Sequence, residues 1–347
     1  MLVLVFCFAA MAQTVIPVSP NDYLDDAIAA QEDTPDADYV FELQRGEYYA
    51  VKGTVTPSYV LKIRAADGEG PLPVIFPERP QDMTVNDFKN QFVFIEAQND
   101  VCVKNLHFSM INQDESRVRI MDFFNPGLRL DVTGCVFEYT SSWKGAIQFK
   151  SFRGTAVFKD NFIRNMMDDN GYTWSTFFHT QKIAIDSLIF VNNTLSNCAN
   201  NVFAINDIPA QDNSPLYFEF DHNTIYGTGI DIFHHSFWLN AHVTNNLFVN
   251  SMLVGQGLGA RAPWVAAEFQ NQDGMPYAYF KVDTLEADNA DSLIQAATGG
   301  SDRIVQIHNN NYYLDPDIED WQAEQPDSMT GPIDFLSPVS EGFFVDD

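Results

Sequence analysis

A short asparagine-centred frame recurs along the chain and constrains the fold more than any other feature of the sequence. It runs apolar, x, Asn/Asp/His, Asn, small or apolar, aliphatic or aromatic, as in VNNTLSN at 191–197 and VTNNLFVN at 243–250. Its second asparagine position falls at Leu106, Cys135, Asn161, Asn193, Asn223, Asn246 and Asn310. These positions lie 23 to 32 residues apart, except for a final interval of 64. Such spacing is typical of structural repeats, with an insertion in the last interval.

The spacing of this frame fits one coil of a parallel β-helix. Each unit holds short stretches of period-two alternation, such as residues 201–205, and none contains a helical pattern long enough for a strand–helix–strand crossover. Two or three short strands joined by tight turns describe such a coil. Asparagine tolerates left-handed backbone geometry, and stacked amides can hydrogen-bond to one another. We therefore expect an asparagine ladder, with the residues three before and two after each second asparagine pointing inward.

An amphipathic segment near the start of the chain is suited to cover the open end of such a coil. Residues 21–33 begin with an Asx cap and place Leu24, Ala27 and Ile28 at helical spacing. Hydrophobic residues make up 46% of the chain and phenylalanine contributes 29 residues, which is ample for a continuous core. The sequence therefore predicts an all-β fold, a parallel β-helix (a solenoid of short strands) with a short N-terminal capping helix.

Taken together, these elements resemble the right-handed parallel β-helix superfamily typified by pectate lyases. The shared pattern is a capping helix with Leu24 and Ala27-Ile28, a strand that leads to Gly46-Glu47-Tyr48, and then coils with two asparagines before an aliphatic or aromatic residue. The resemblance spans roughly residues 15–314 and implies a right-handed parallel β-helix. Adhesins, phage tailspikes, hydrolases and lyases share this architecture, so the resemblance by itself assigns no activity.

The remaining segments set the domain organisation that we expect. Residues 1–12 are apolar, uncharged and end in Ala10-Met11-Ala12, which fits an export signal better than the alternative, a buried first strand. The β-helix domain would then cover 13–314, with an insertion at about 251–305 where the frame is interrupted. Residues 315–347 are acidic and Pro-rich, as expected of a C-terminal cap or linker. We thus expect a secreted, cell-surface or periplasmic protein.

The charge of the chain disfavours several kinds of partner. It carries 19 basic and 47 acidic residues, a formal net charge of −28. Such a charge disfavours nucleic acid and anionic membrane surfaces, and no segment approaches transmembrane length. It also disfavours direct contact with a polyanionic sugar unless cations intervene. The expected partner is a polysaccharide, bound by a monomer that does not insert into a membrane.

The resemblance also implies where a polysaccharide would bind: in a groove along one sheet, on side chains that consecutive coils stack into a row. Counted from the frame, the strands after the asparagine turns end at Asp122, Lys150, His179, Asn206-Asp207 and His234-His235. Trp143, Lys144 and Trp174 lie near the start of this row, and aromatic faces beside polar groups stack on sugar rings. We therefore assign substrate binding to Trp143, Trp174, Asn206 and His235.

Eliminative cleavage of a uronic-acid chain is the first hypothesis for this row. Elimination needs a cation to neutralise the sugar carboxylate, a base for the C5 proton and a proton source for the leaving oxygen. Ca²⁺ takes oxygen ligands, and the candidate ligands are Asp122, Asp207 and Asp231. The candidate catalytic residues are Lys150, His179, His234, Lys144 and Arg153.

Two other functions remain open. A non-catalytic carbohydrate-binding or surface adhesion protein is favoured by the absence of a complete catalytic motif. Hydrolysis needs two carboxylates at a defined separation, for which Asp168-Asp169 with Asp207 or Asp231 are the candidates. However, residues 168–171 are also typical of a turn, and the sequence lacks the Gly-His-Gly and Arg-x-Lys elements of β-helix polygalacturonases. A lyase is therefore favoured over a hydrolase.

Overall fold

Three parallel sheets wind around one continuous core, and successive coils of the chain add a strand to each sheet. The structure, a computed structural model, describes residues 13–140, 145–166, 176–180, 183–198, 202–205, 214–229, 232–235, 237–251, 278–280, 282, 284–324 and 334–336. In these residues six consecutive coils contribute a strand to all three sheets. The predicted parallel β-helix is confirmed.

The strands of each sheet pair in parallel with their neighbours from the coils before and after. Sheet A has ten strands, in chain order Thr14–Val18, Tyr39–Leu43, Leu61–Ala65, Val101–Lys104, Arg129–Thr133, Thr155–Lys159, Ser187–Val191, Tyr217–Asp221, Asn240–Thr244 and Ile304–His308. Sheet B has nine strands, Tyr48–Val51, Val74–Pro77, His107–Ser109, Val136–Glu138, Phe162–Arg164, Thr194–Ser196, Thr224–Tyr226, Leu247–Val249 and Asn311–Tyr313. Sheet C has six strands, Val93–Ala97, Arg119–Phe123, Ile147–Phe149, Phe178–Thr180, Phe203–Ile205 and Phe233–His234. A separate parallel pair joins Ala278–Phe280 with Asp334–Leu336.

Short helices accompany the sheets at both ends of the described chain. They are α1 (Leu24–Ala29), α2 (Val85–Gln91), α3 (Ala290–Thr298) and α4 (Pro316–Ala323). Helix α1 is the predicted helix, and it buries Leu24 and Ile28 in the core at the N-terminal end of the solenoid. The expected Asx cap is wrong, because the N-cap residue is Tyr23 and no side chain caps the first turn. Helix α2 begins after Thr84, whose hydroxyl oxygen accepts a hydrogen bond from the Asp87 N–H at 3.1 Å and so caps the first turn.

Columns of aromatic and aliphatic side chains fill the interior of the coils. On sheet A the rings of Phe158, Phe190 and Phe220 follow one another with centroids 5.5 Å apart. Phe190 lies three residues before Asn193 and Leu195 lies two residues after it, and both are fully buried. The predicted inward positions are therefore confirmed in six of the seven frames, whereas in the last frame Ile307 is partly buried and Tyr312 is 54% exposed. Stacked rings in a dense interior supply much of the stabilisation of such a fold.

The second asparagines of the frame form the predicted ladder at the turn from sheet A to sheet B. The Asn161 N–H donates to Asn193 Oδ1 at 2.9 Å, and the Asn193 N–H donates to Asn223 Oδ1 at 2.8 Å. The Asn223 N–H continues the series to Asn246 Oδ1 at 2.8 Å. The residue before each rung has left-handed geometry, with φ of 56° at Asn192. This explains the double asparagine: one residue makes the turn and the next makes the ladder.

In the described residues, the two strands of the last coil pair with strands that lie more than 60 residues earlier in the chain. Strand Ile304–His308 pairs directly with Asn240–Thr244, and Asn311–Tyr313 pairs with Leu247–Val249. The segment between these strands includes α3 and covers the range of the expected insertion, about residues 251–305.

Two further segments expected from the sequence lie at the two ends of the chain. The expected export signal at 1–12 lies outside the described residues. The expected C-terminal segment at 315–347 contains α4 and the strand Asp334–Leu336. In the part of the chain that the structure describes, no helix is both long enough and apolar enough to span a bilayer. Export and localisation stay predictions.

Candidate functional site

One outward row of side chains on sheet C contains several of the residues that the sequence singled out. Gln148 is the register partner of Asp122 on one side and of His179 on the other. The row continues through Ala204 to the backbone of His234. Because neighbouring residues in a strand point to opposite faces, this row lies on the outside of the solenoid. The sequence analysis did not predict Gln148, because it took the polar residue at the end of each strand and so selected Lys150.

The outer face of sheet C is buried, unlike those of sheets A and B. Asp122 and Gln148 are 0% exposed and His179 is 4% exposed. The strands that carry them are buried at every position. Buried polar groups need partners, and the side chains of this row bond to one another and to Arg119 and Lys150.

The Asp122 carboxylate is the centre of a buried ion-pair network. Arg119 Nη1 donates to both of its oxygens, at 2.8 Å to Oδ1 and 2.6 Å to Oδ2. Lys150 Nζ donates to Oδ2 at 2.5 Å and lies 4.4 Å from the centroid of the Phe124 ring. Lys150 is therefore the cationic partner of Asp122. A buried carboxylate is tolerated when cations and hydrogen bonds compensate its desolvation, and here two cations share one carboxylate.

Gln148 connects this network to His179. Its Oε1 is 3.5 Å from Arg119 Nη1, and its Nε2 is 2.9 Å from His179 Nδ1. An amide nitrogen donates, so His179 Nδ1 accepts this bond and the ring N–H is the one on Nε2. The network thus orients His179 as a donor from Nε2.

Close packing holds the backbone around His179. Gly145 has φ of 86°, which favours glycine. A methyl group at that position would lie 2.8 Å from His179 Cβ and 3.1 Å from Thr176 Oγ1. The turn that leads into strand Ile147–Phe149 therefore requires glycine both for its conformation and for its contact with His179.

Two other predicted site residues lie away from this row. Arg153 is an exposed turn residue with φ of 60°, and its N–H donates to the Ala184 carbonyl oxygen at 3.1 Å. His235 is buried: its Nε2 is 3.1 Å from the Phe237 carbonyl oxygen, and its ring centroid is 4.7 Å from that of Trp238. The geometry therefore places His235 in the core and Arg153 at an exposed turn.

Outside the described residues lie Trp143, Lys144, Asp168, Asp169, Trp174, Asn206, Asp207, Asp231 and the side chain of His234. Within the described residues, no group of three or more His, Cys, Asp or Glu side chains is arranged to hold a metal ion. Asp122, the one described candidate for Ca²⁺, is bound by Arg119 and Lys150. Calcium stays a prediction that depends on Asp207 and Asp231.

Burial of His235 predicts that acid destabilises the fold. Desolvation lowers the pKa of His235 to about 4, from about 6.5 in an unfolded chain. Below about pH 6.5 the unfolded state binds a proton that the folded state does not, so stability falls by up to about 1.4 kcal/mol per pH unit until about pH 4. Urea unfolding at several pH values should show this slope in the wild type and lose most of it in His235→Gln. His222→Gln, at an exposed histidine, should keep the slope; an unchanged slope in His235→Gln would contradict the prediction.

The fold and the row on sheet C define the class of this protein. It is a parallel β-solenoid with a row of buried polar and charged side chains on one sheet. No protein-family model matches the chain, and no curated protein matches its sequence. A function must therefore be argued from the chemistry of the residues themselves.

Proposed function

We propose that the protein is an exported, polysaccharide-active member of the pectate lyase-like β-helix proteins, which cleaves a uronic-acid chain by β-elimination at sheet C. The observation that carries the proposal is the register row of Asp122, Gln148 and His179, with Arg119 and Lys150 bound to its carboxylate. Long polysaccharides suit a solenoid because consecutive coils present repeated positions along one axis.

In this proposal the row serves two of the three chemical needs of elimination. Arg119 and Lys150 carry one more positive charge than Asp122 neutralises, and this excess charge would neutralise the sugar carboxylate. The His179 Nε2–H would donate a hydrogen bond to the glycosidic oxygen as the C4–O bond breaks and the C5–H electron pair forms the C4–C5 double bond, and water then protonates that oxygen. The base that takes the C5 proton is sought at Lys144 or His234. Because the row is buried, cleavage also requires the outer face of sheet C to open to the chain.

Cleavage by this route leaves an unsaturated product that absorbs ultraviolet light. Incubation with pectate, alginate and other uronates should generate this absorbance with the wild type. His179→Ala should lower the rate about a hundredfold or more, because the hydrogen-bond donor to the leaving oxygen is lost. His222→Ala, at an exposed turn histidine that contacts Asp221, should leave the rate unchanged.

Absence of the unsaturated product on every uronate, from protein with an intact circular dichroism spectrum, would reject elimination. An equal rate in His179→Ala and the wild type would remove His179 from the mechanism while leaving the activity.

A non-catalytic carbohydrate-binding protein is the second candidate, and the burial of the row favours it. Asp122 and Gln148 have partners and are screened from solvent, as expected of side chains that join coils together. Under this alternative, calorimetry would detect glycan binding while no unsaturated product accumulates, and His179→Ala would bind as the wild type does.

A further inference from the structure

A second concave site lies on the outer face of sheet B, near the N-terminal end of the solenoid. It is a groove of about 510 Å³, and its walls include Tyr48, Leu72, His107, Glu138, Phe162 and Arg164. Five consecutive strands of sheet B contribute to it, from Tyr48–Val51 to Phe162–Arg164. This volume lies within the range of small-molecule sites. We call it the sheet B groove.

The polar part of the sheet B groove is a fixed network around Glu138. This residue is 6% exposed. His107 Nε2 is 2.9 Å from its Oε1, and Arg164 Nε donates to its Oε2 at 2.5 Å. A buried carboxylate held on both oxygens cannot rotate freely, so its unused lone pairs have fixed directions. Arg164 uses Nε for this bond and keeps a 38% exposed side chain, which leaves its terminal nitrogens as donors.

Aromatic and apolar side chains form the rest of the sheet B groove. Tyr48, at one end, is 63% exposed, so its ring is accessible to a ligand in the groove. Phe162, at the other end, lies 5.3 Å from the Arg164 guanidinium carbon, measured to the ring centroid. Flat apolar faces flanking a planar polar pair match a pyranose, which has an apolar face and an equatorial belt of hydroxyls.

The charge of the sheet B groove and of the whole chain favours neutral sugars over acidic ones. Glu138 and Arg164 form an ion pair and neutralise each other, so the sheet B groove has no uncompensated cation from this pair. The chain as a whole carries a net charge of −28, which repels polyanions from an open surface. A paired carboxylate and guanidinium still offer an acceptor and donors to vicinal hydroxyls.

We infer that the sheet B groove binds neutral sugar residues. The inference rests on the proposed function, which supplies the polysaccharide. It implies that this polysaccharide carries neutral sugars as well as uronic acids. The inference does not depend on the chemistry at sheet C, because the groove is formed by a different sheet.

Binding of neutral oligosaccharides tests the inference directly. We would titrate galacto-, arabino-, xylo- and manno-oligosaccharides by calorimetry. At least one should bind, with little change in Kd when salt is raised, because no net charge is neutralised. Tyr48→Ala should weaken binding about tenfold through loss of ring stacking. Tyr226→Ala is the matched control, because Tyr226 is an exposed tyrosine on the same face of sheet B but beyond the groove.

A second variant removes the polar contact. Arg164→Met should also weaken binding about tenfold, with its thermal unfolding checked because Glu138 loses one partner. Failure of every neutral oligosaccharide to bind the wild type would overturn the inference. So would an equal loss in Tyr226→Ala and Tyr48→Ala, or binding restricted to acidic oligosaccharides that weakens steeply with salt.

The uronate cleavage assay separates the two proposals. Cleavage without neutral-sugar binding would reject the sheet B groove and keep the lyase. Neutral-sugar binding that depends on Tyr48, with no unsaturated product, would keep the sheet B groove and reject the lyase.

Discussion

Replacing Asn193 with alanine is expected to lower the free energy of unfolding by about 2–4 kcal/mol. The Asn193 side chain serves the coils on both sides: its Oδ1 accepts from the Asn161 N–H, and its Nδ2 donates to Asn223 Oδ1 and to the Phe158 carbonyl oxygen. Alanine leaves the Asn161 N–H and the Phe158 carbonyl buried without these partners, and each unsatisfied buried group carries a desolvation cost. Urea unfolding followed by circular dichroism would measure the loss.

The neighbouring asparagine provides the control in the same turn. Asn192 is exposed and has φ of 56°, a conformation that glycine adopts without strain. Asn192→Gly should therefore cost less than about 1 kcal/mol. If both substitutions cost the same, the ladder does not stabilise the solenoid more than an ordinary turn does.

The fold could be predicted because its periodic parts are encoded locally. A left-handed turn residue and a ladder residue both favour asparagine, so the turn between sheets A and B repeats visibly along the chain. The structure also explains where the frame degenerates. The Cys135 N–H donates to Asn161 Oδ1 at 2.8 Å, so each N–H is served by the amide of the following coil. The coil at which the ladder begins can therefore carry cysteine.

The site was only partly predictable, because its surroundings come from several coils. The frame placed Asp122 and His179 near one row, but no local pattern shows that Gln148 would join them or that the outer face of sheet C would be buried. The sheet B groove did leave a signal: Glu138 and Arg164 both lie three residues after a second frame position, which stacks them in one outward row.

Replacing Asp122 with alanine is expected to have the largest effect, a loss of about 3–5 kcal/mol in the free energy of unfolding. The substitution leaves the Arg119 guanidinium and the Lys150 ammonium close together and largely screened from water, without the carboxylate that binds both. Removing one partner of a buried ion pair costs more than the pair contributes, because the remaining charge keeps its desolvation cost. Urea unfolding would measure the loss.

Two further variants decide whether this loss comes from uncompensated charge. Asp131→Ala removes a carboxylate from an exposed pair with Arg129 on sheet A and should cost less than about 1 kcal/mol. Adding Arg119→Met to Asp122→Ala should restore part of the stability. One of the two cations that lost their carboxylate partner is then replaced by an apolar side chain. The double variant could instead lose as much stability as the two single variants combined. Asp122 would then stabilise sheet C by packing rather than by its charge. That result would also contradict the lyase proposal, which depends on the electrostatic coupling of Arg119 and Lys150 to Asp122.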